Sequence, residues 1–258
     1  MKRLAPAVAV LVAACASTLQ TLPPISTDRP DVTDGATTVP VGTTQLEGGY
    51  TTDRSDAQTR DQTIGEGLVR IGLSSRAEAR LAFNSYEVRR ERGLTQRGFD
   101  DASLGVKLRL YDAPSDHVQA VPSTAWIFAL SIPTGNRDFG ARTALPSTKL
   151  AAEWSLGERV GLGANAILAA ERDETGRYTQ SGASVSLGPN FTEQLGGFLE
   201  WYAFRANVAR AHAHHSLDAG LTFAIGDDFQ LDVRYGGDIT RGDRDHFFGL
   251  GIARRWPR

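Results

Sequence analysis

The sequence predicts an all-β chain, an up-and-down antiparallel transmembrane β-barrel of about twelve strands. Three observations predict it. Between Thr44 and Trp256 about twelve short segments alternate apolar with polar residues. The gaps between them alternate in kind: 74–75, 112–116, 157–158, 188–193 and 226–228 are short, while 52–63, 89–98, 135–146, 172–176, 206–215 and 238–245 are long, polar and charged. Tight turns on one rim and long loops on the other are the pattern of an outer-membrane barrel. Aromatic residues gather at the segment ends: Tyr111, Trp154, Phe191, Phe229 and Trp256 beside short gaps, Tyr50, Tyr86, Tyr178, Phe204, Phe247 and Phe248 toward long ones. Such rings suit the two membrane interfaces.

Composition is consistent with that class. No internal apolar run approaches the ~20 residues a membrane helix needs, whereas a barrel strand needs only ~9–11 with every second one apolar. The formal charge is −2, and setting aside Lys2 and Arg3 leaves 26 basic against 30 acidic groups, so nothing points to a nucleic-acid surface. The single cysteine, Cys15, allows no internal disulfide.

Residues 1–16 read as a signal peptide: a basic Met1-Lys2-Arg3, an apolar stretch from Leu4 to Ala14, and Ala14-Cys15-Ala16 as the small-x-small cleavage pattern. Val12-Ala13-Ala14-Cys15 also resembles a lipobox, so Cys15 is either acylated or removed. Residues 17–43 form a polar, proline-broken lead-in with no period of 2 or 3.6. It lies in the periplasm as a tail or folds back to fill part of the lumen.

The barrel itself is expected over 44–258. Consecutive strand side chains point to opposite faces. Leu104, Val106, Leu108 and Leu110 therefore oppose Lys107 and Arg109; Leu81 and Phe83 oppose Glu78 and Arg80; Phe229, Leu231, Val233 and Tyr235 oppose Asp232 and Arg234. Val69, Ile71 and Leu73 oppose Glu66 and Arg70, and Leu150 and Trp154 oppose Lys149 and Glu153. In a membrane barrel the apolar face meets lipid and the charged face lines the lumen. The expected lumen set is Glu47, Glu66, Arg70, Glu78, Arg80, Lys107, Arg109, Lys149, Glu153, Asp218, Asp232 and Arg234. If Glu200 also points inward, Phe198, Tyr202 and Phe204 form an aromatic lumen patch. An even strand count puts every short turn and both termini in the periplasm. The last segment, Phe248 to Trp256, alternates and closes on an aromatic, resembling the C-terminal signal read by the barrel assembly machinery.

Ser26-Thr27-Asp28-Arg29-Pro30-Asp31 and the stretch Val39 to Tyr50 resemble the opening of a bacterial family, the phenol-degradation meta-pathway outer-membrane proteins. Ser131-Ile132-Pro133-Thr134-Gly135 resembles a turn of that family. The resemblance implies a Gram-negative outer-membrane barrel that passes small, often aromatic, compounds; it carries no catalytic residue to this chain. Asp28, Arg29, Pro30 and Asp31 precede the first strand, so the motif reads as a pinned lead-in, ion-paired to the wall.

The expected function is passive diffusion of a small organic solute, with outer-membrane lipid, the assembly machinery and the solute as partners. No catalytic residue, metal or cofactor is assigned. His212, His214 and His215 lack a nearby carboxylate or cysteine to complete a metal site. Gly-x-Ser-x-Gly and a phosphate-binding glycine loop are absent. The competing readings are a closed structural or adhesive barrel, in which mixed charges salt-bridge and fill the interior, and a barrel hydrolase using His246.

Overall fold

The computed structural model describes residues 22–55, 58–114, 118, 120–208, 211–240 and 245–257. The expected signal peptide and Cys15 lie outside the described residues. Fourteen strands form one antiparallel sheet: β1 (Thr44–Arg54), β2 (Thr59–Ser74), β3 (Ala77–Ala82), β4 (Tyr86–Glu91), β5 (Leu94–Phe99), β6 (Ala102–Tyr111), β7 (Ser123–Ile132), β8 (Leu145–Ser155), β9 (Val160–Asp173), β10 (Gly176–Pro189), β11 (Leu195–Ala206), β12 (His214–Ala224), β13 (Phe229–Asp238) and β14 (His246–Trp256).

β3 and β4 continue one another across 83–85, and both pair with the long β2. β5 and β6 continue one another across 100–101. The wall therefore has twelve strands. It closes where β1 meets β14, in register from Thr44↔Trp256 to Arg54↔His246. Closure leaves no unpaired edge for the membrane to solvate.

Side-chain burial is inverted relative to a water-soluble protein. The largest fully buried side chains are Arg70, Arg255, Lys107, Gln45, Glu47, Glu78, Glu200 and Ser184. Leu104, Leu108, Leu110, Leu150, Leu199, Leu231 and Leu250 are exposed. A water-facing surface of that kind would carry a large desolvation incentive to aggregate; hydrocarbon removes it, and the alternation delivers one residue set to each side. Tyr111, Trp126, Phe191 and Trp256 are exposed toward the end that carries the short turns, and Phe99, Tyr235 and Phe248 toward the other.

Two expectations need correction. Three of the long "loops" are largely strand. β1 and β2 stay paired out to Arg54↔Arg60, β9 and β10 out to Asp173↔Gly176, and β4 and β5 form a hairpin. The β4–β5 turn is Arg92-Gly93, both with positive φ (47° and 83°), which suits the type I′ turn that matches strand twist. Beyond the bilayer neither face must be apolar, so these extensions carry charge on both faces and the alternation disappears. Phe247 is not at the rim girdle either: it is buried, with the Arg234 guanidinium 5.0 Å from its ring centroid.

Candidate functional site

The described part of the lead-in, residues 22–43, enters the barrel and fills much of its lumen. It begins at the periplasmic end, where the Ile25 amide donates to the Asp227 carbonyl (2.8 Å) and Arg255 donates to the Pro23 carbonyl (2.8 Å). The segment has no regular secondary structure, so its backbone donors need partners from elsewhere. Wall carboxylates supply them. Glu47 accepts from the Asp28 amide (3.1 Å), Glu200 from Val32 and Thr33 (2.8 and 2.7 Å), Glu153 from Ala36 (3.0 Å) and Glu78 from Val39 (2.7 Å). Asn165 accepts from the Asp34 amide (2.8 Å) and donates to its carbonyl (3.0 Å).

The plug's own charges face the wall's. Lys107 donates to both Asp28 carboxylate oxygens (2.9 and 2.8 Å), Arg80 donates to the same carboxylate, and Arg70 lies 3.4 Å away. Glu47 and Glu78 balance Arg70 from the wall at 3.0 and 2.9 Å. Burial works against the Asp28 carboxylate, but Arg70, Lys107 and Arg80 outweigh it and hold its pKa well below the ordinary value. Arg29 pairs with Glu66 (2.6 Å) and lies 3.6 Å from Asp232. Asp34 is held by Arg80 (3.2 Å) and by Lys149. Asp31 differs: burial, then the negative charge of Glu200, push its pKa up to about 8, against a hydrogen bond from Ser186.

The wall is contoured to fit. A Cβ on Gly72 would lie 2.0 Å from the Pro40 carbonyl oxygen, a backbone atom that cannot swing aside. At that contact the Gly72 amide donates to the Thr43 carbonyl, and the Gly42 amide to the Gly72 carbonyl (both 3.1 Å). Gly72→Val is therefore expected to displace residues 39–43 and expose them to added protease, whereas Gly161→Val, whose Cβ meets nothing closer than 3.9 Å, leaves protection intact. Equal protection in both variants would separate the plug from this contact.

The expected lumen residues can now be placed. Glu47, Arg70, Glu78 and Lys107 are wholly enclosed, and Asp218 and Asp232 are buried. Glu66, Arg80, Lys149, Glu153 and Arg234 touch the plug, Arg234 by donating to the Pro30 carbonyl (2.9 Å). Arg109 sits apart, near the periplasmic mouth, paired with Asp112. Phe198 is on the inner face, but its ring, like that of Phe204, lies against the Cα of a neighbouring-strand glycine, Gly220 and Gly182 respectively. The Tyr202 and Phe204 rings lie tilted against each other, their centroids 5.9 Å apart and their planes at 60°. Sequence reasoning did not assign roles to Asp34, Asn165 or Glu200. Glu200 could have been read from alternation; Asp34 and Asn165 are partners 131 residues apart, which no local pattern encodes.

Space remains along one wall. A cavity of about 560 Å³ opens among the outer residues Arg89, Arg137 and Arg172. It shares Phe139, Ala141 and Glu171 with one of about 330 Å³. That one shares Asp100, Asp101 and Ser147 with a cavity of about 440 Å³. The last meets a cavity of about 250 Å³ on the periplasmic side at Asp34. Phe198, Tyr202 and Phe204 line none of the four.

Comparison with known proteins adds family and fold. A family model described as "Putative MetA-pathway of phenol degradation" matches residues 27–256. No curated protein matches the sequence. Among solved structures, an outer membrane channel from Pseudomonas putida F1 is similar at 15% identity and TM-score 0.64, covering 86% of this chain and 98% of that one. The NanC porin follows at 8% identity and TM-score 0.56, covering 82% and 98%. The translocator domain of the autotransporter NalP from Neisseria meningitidis is similar at 13% identity and TM-score 0.51, covering 84% and 90%. At these identities the likeness is one of fold: an outer-membrane barrel of channel-like architecture.

Proposed function

This chain belongs to the MetA-pathway phenol-degradation family, and from that premise we propose that it is an outer-membrane facilitator passing small organic solutes by diffusion along the unplugged side of its lumen. The observation that carries the reading is the series of four cavities along one wall, neighbouring members of which share lining residues, the innermost pair sharing Asp34 alone. Twelve strands lie between the eight that leave room for side chains only and the sixteen or more that leave a wide aqueous channel. The plug crosses that intermediate bore, with contacts to Glu47, Glu78, Glu153 and Glu200 around the wall. The solute we propose for the remaining space is a single small ring rather than a sugar chain. Polar groups along it replace part of a solute's hydration, and nothing in the route needs energy coupling or catalysis. The alternating β14 is the element we assign to the assembly machinery.

Planar-bilayer conductance and liposome swelling with phenol-sized solutes test the reading. Wild type is expected to conduct weakly and admit phenols faster than disaccharides. Asp34→Ala removes the carboxylate between Arg80 and Lys149, so conductance is expected to rise about twofold with selectivity moving toward anions; Lys149→Gln moves selectivity the other way. Zero conductance and zero swelling in wild type would favour the closed, non-transporting barrel instead.

A further inference from the structure

We propose that the outer rim around β1, β2, β4 and β5 is a binding site for the phosphate groups of lipopolysaccharide, the glycolipid of the outer leaflet. The placement follows from register. Leu250, Tyr50, Ile64, Tyr86 and Phe99 pair side by side and form one outward row; Leu250, Ile64 and Phe99 are exposed there. The next outward row toward the loops is Phe248, Thr52, Gln62, Val88 and Arg97. The row beyond it is His246, Arg54, Arg60, Arg90 and Thr95. Each row advances two residues along tilted strands, about 5 Å toward the outside.

Arg97 thus stands in the row that still carries Phe248 and Val88, and Arg54, Arg60 and Arg90 stand one row, about 5 Å, beyond it; all four are exposed. Arg54, Arg60 and Arg90 are directly opposite one another on three adjacent strands. Like charges in that relation repel, and among the described residues no carboxylate pairs with any of the four. The nearby acids point elsewhere: Asp61 is on the inward face, paired with Arg89 at 3.1 Å. Arg60 donates to the Thr52 hydroxyl (3.0 Å) and Arg90 to the Gln62 carbonyl oxygen (2.6 Å). Those bonds hold two guanidinium groups on the outer face with further N–H donors free for anions.

One ligand chemistry satisfies both halves of this surface. It must offer acyl chains to the hydrocarbon row and phosphates to the arginines directly above, on the outer side of an outer membrane. Lipopolysaccharide does so; a soluble anion meets only the upper half. The inference rests on the membrane location and the register, and is independent of transport.

The test uses the full-length barrel in detergent, titrated with purified lipopolysaccharide and read by native mass spectrometry. Phosphatidylglycerol and inorganic phosphate are the comparison arms. Wild type is expected to bind the glycolipid at least about tenfold more tightly than the variant Arg54→Gln, Arg60→Gln, Arg90→Gln, Arg97→Gln. A charge control at the opposite rim, Arg76→Gln, Arg159→Gln, Arg254→Gln, should bind as wild type does. A heat-modifiable gel shift confirms that each barrel is folded. Undiminished binding by the quadruple variant, or the same loss in the opposite-rim control, overturns the site. So does phosphatidylglycerol binding equally well, and displacement of the glycolipid by millimolar phosphate would show a free-anion site in its place.

Discussion

Asp28→Ala is expected to release the plug and raise single-channel conductance by about an order of magnitude. Among the described residues the carboxylate is the one anion contacted by Lys107, Arg80 and Arg70 together. Removing it leaves three enclosed cations facing one another with only Glu47 and Glu78 as wall counterions. Breaking a buried pair from one side costs about 3–5 kcal/mol, most of it the penalty of the stranded charge. The plug is docked by many polar side-chain contacts and adds no strand to the wall, so that cost falls on docking before it falls on the barrel. Every ~1.4 kcal/mol shifts the docked-to-displaced ratio tenfold. The exposed pair Arg89–Asp61 supplies the contrast, since solvent-screened pairs contribute at most about 1 kcal/mol: Asp61→Ala should leave conductance unchanged. Adding Lys107→Met to Asp28→Ala removes one stranded charge and is expected to recover part of the docking, a coupling that a double-mutant cycle reads directly. Wild-type conductance and wild-type protease protection of residues 22–43 in Asp28→Ala would show that the plug is held by its backbone contacts to Glu47, Glu153 and Glu200 alone.

The barrel was legible in the sequence because bilayer physics writes it there. A strand such as β6 must present Leu104, Leu108 and Leu110 to hydrocarbon, and the period of two then forces Lys107 inward. The same constraint explains what was hidden. Outside the bilayer it lapses, so β4 and β5, with Arg89, Arg90 and Glu91 on both faces, read as loop although they are paired from Tyr86↔Phe99 to Glu91↔Leu94. Residues 22–43 have no period because they form no ladder; whether they lay inside or outside the barrel depended on partners as distant as Glu200, which meets Thr33 across 167 positions. The Asp28-Arg29-Pro30-Asp31 motif was readable as a pinned lead-in, yet its opposite charges have opposite neighbours: Asp28 falls among cations and Arg29 among Glu66 and Asp232. The acidic residues among the expected lumen set read as lining. Glu47, Glu78, Glu153 and Glu200 turn out to be acceptors for backbone amides, a role that alternation cannot distinguish from a pore lining. Inward orientation of Phe198 and Phe204 was likewise readable, but not their packing over Gly220 and Gly182, because the pairing of those glycines is set by strand register.

Plug docking is expected to weaken as pH rises from about 5 to 8, and Asp31 sets the direction. Ser186 on β10, Glu200 on β11, Asp218 on β12 and the plug's own Asp34 surround its carboxyl, while Arg234 on β13 spends one N–H on the Pro30 carbonyl. Burial and Glu200 place the docked pKa at about 8; a displaced, solvated Asp31 titrates near 4. The docked state therefore holds a proton that the displaced state releases. Its stabilisation is complete below pH ~4 and shrinks by up to about 1.4 kcal/mol per unit as pH climbs, until both states are ionised above about 8. Asp28 has the reverse linkage, because its docked pKa is depressed: its contribution is present above the ordinary carboxylate pKa and is lost only in more acidic solution, outside this window. Conductance of the wild-type barrel should rise across pH 5–8, with protease access to residues 22–43 rising in parallel. Asp31→Asn keeps the size and the neutral form of the side chain, so it should stay docked and give a flat profile. A flat wild-type profile, or an unchanged slope in Asp31→Asn, would place the proton on another group and remove Asp31 from control of the plug.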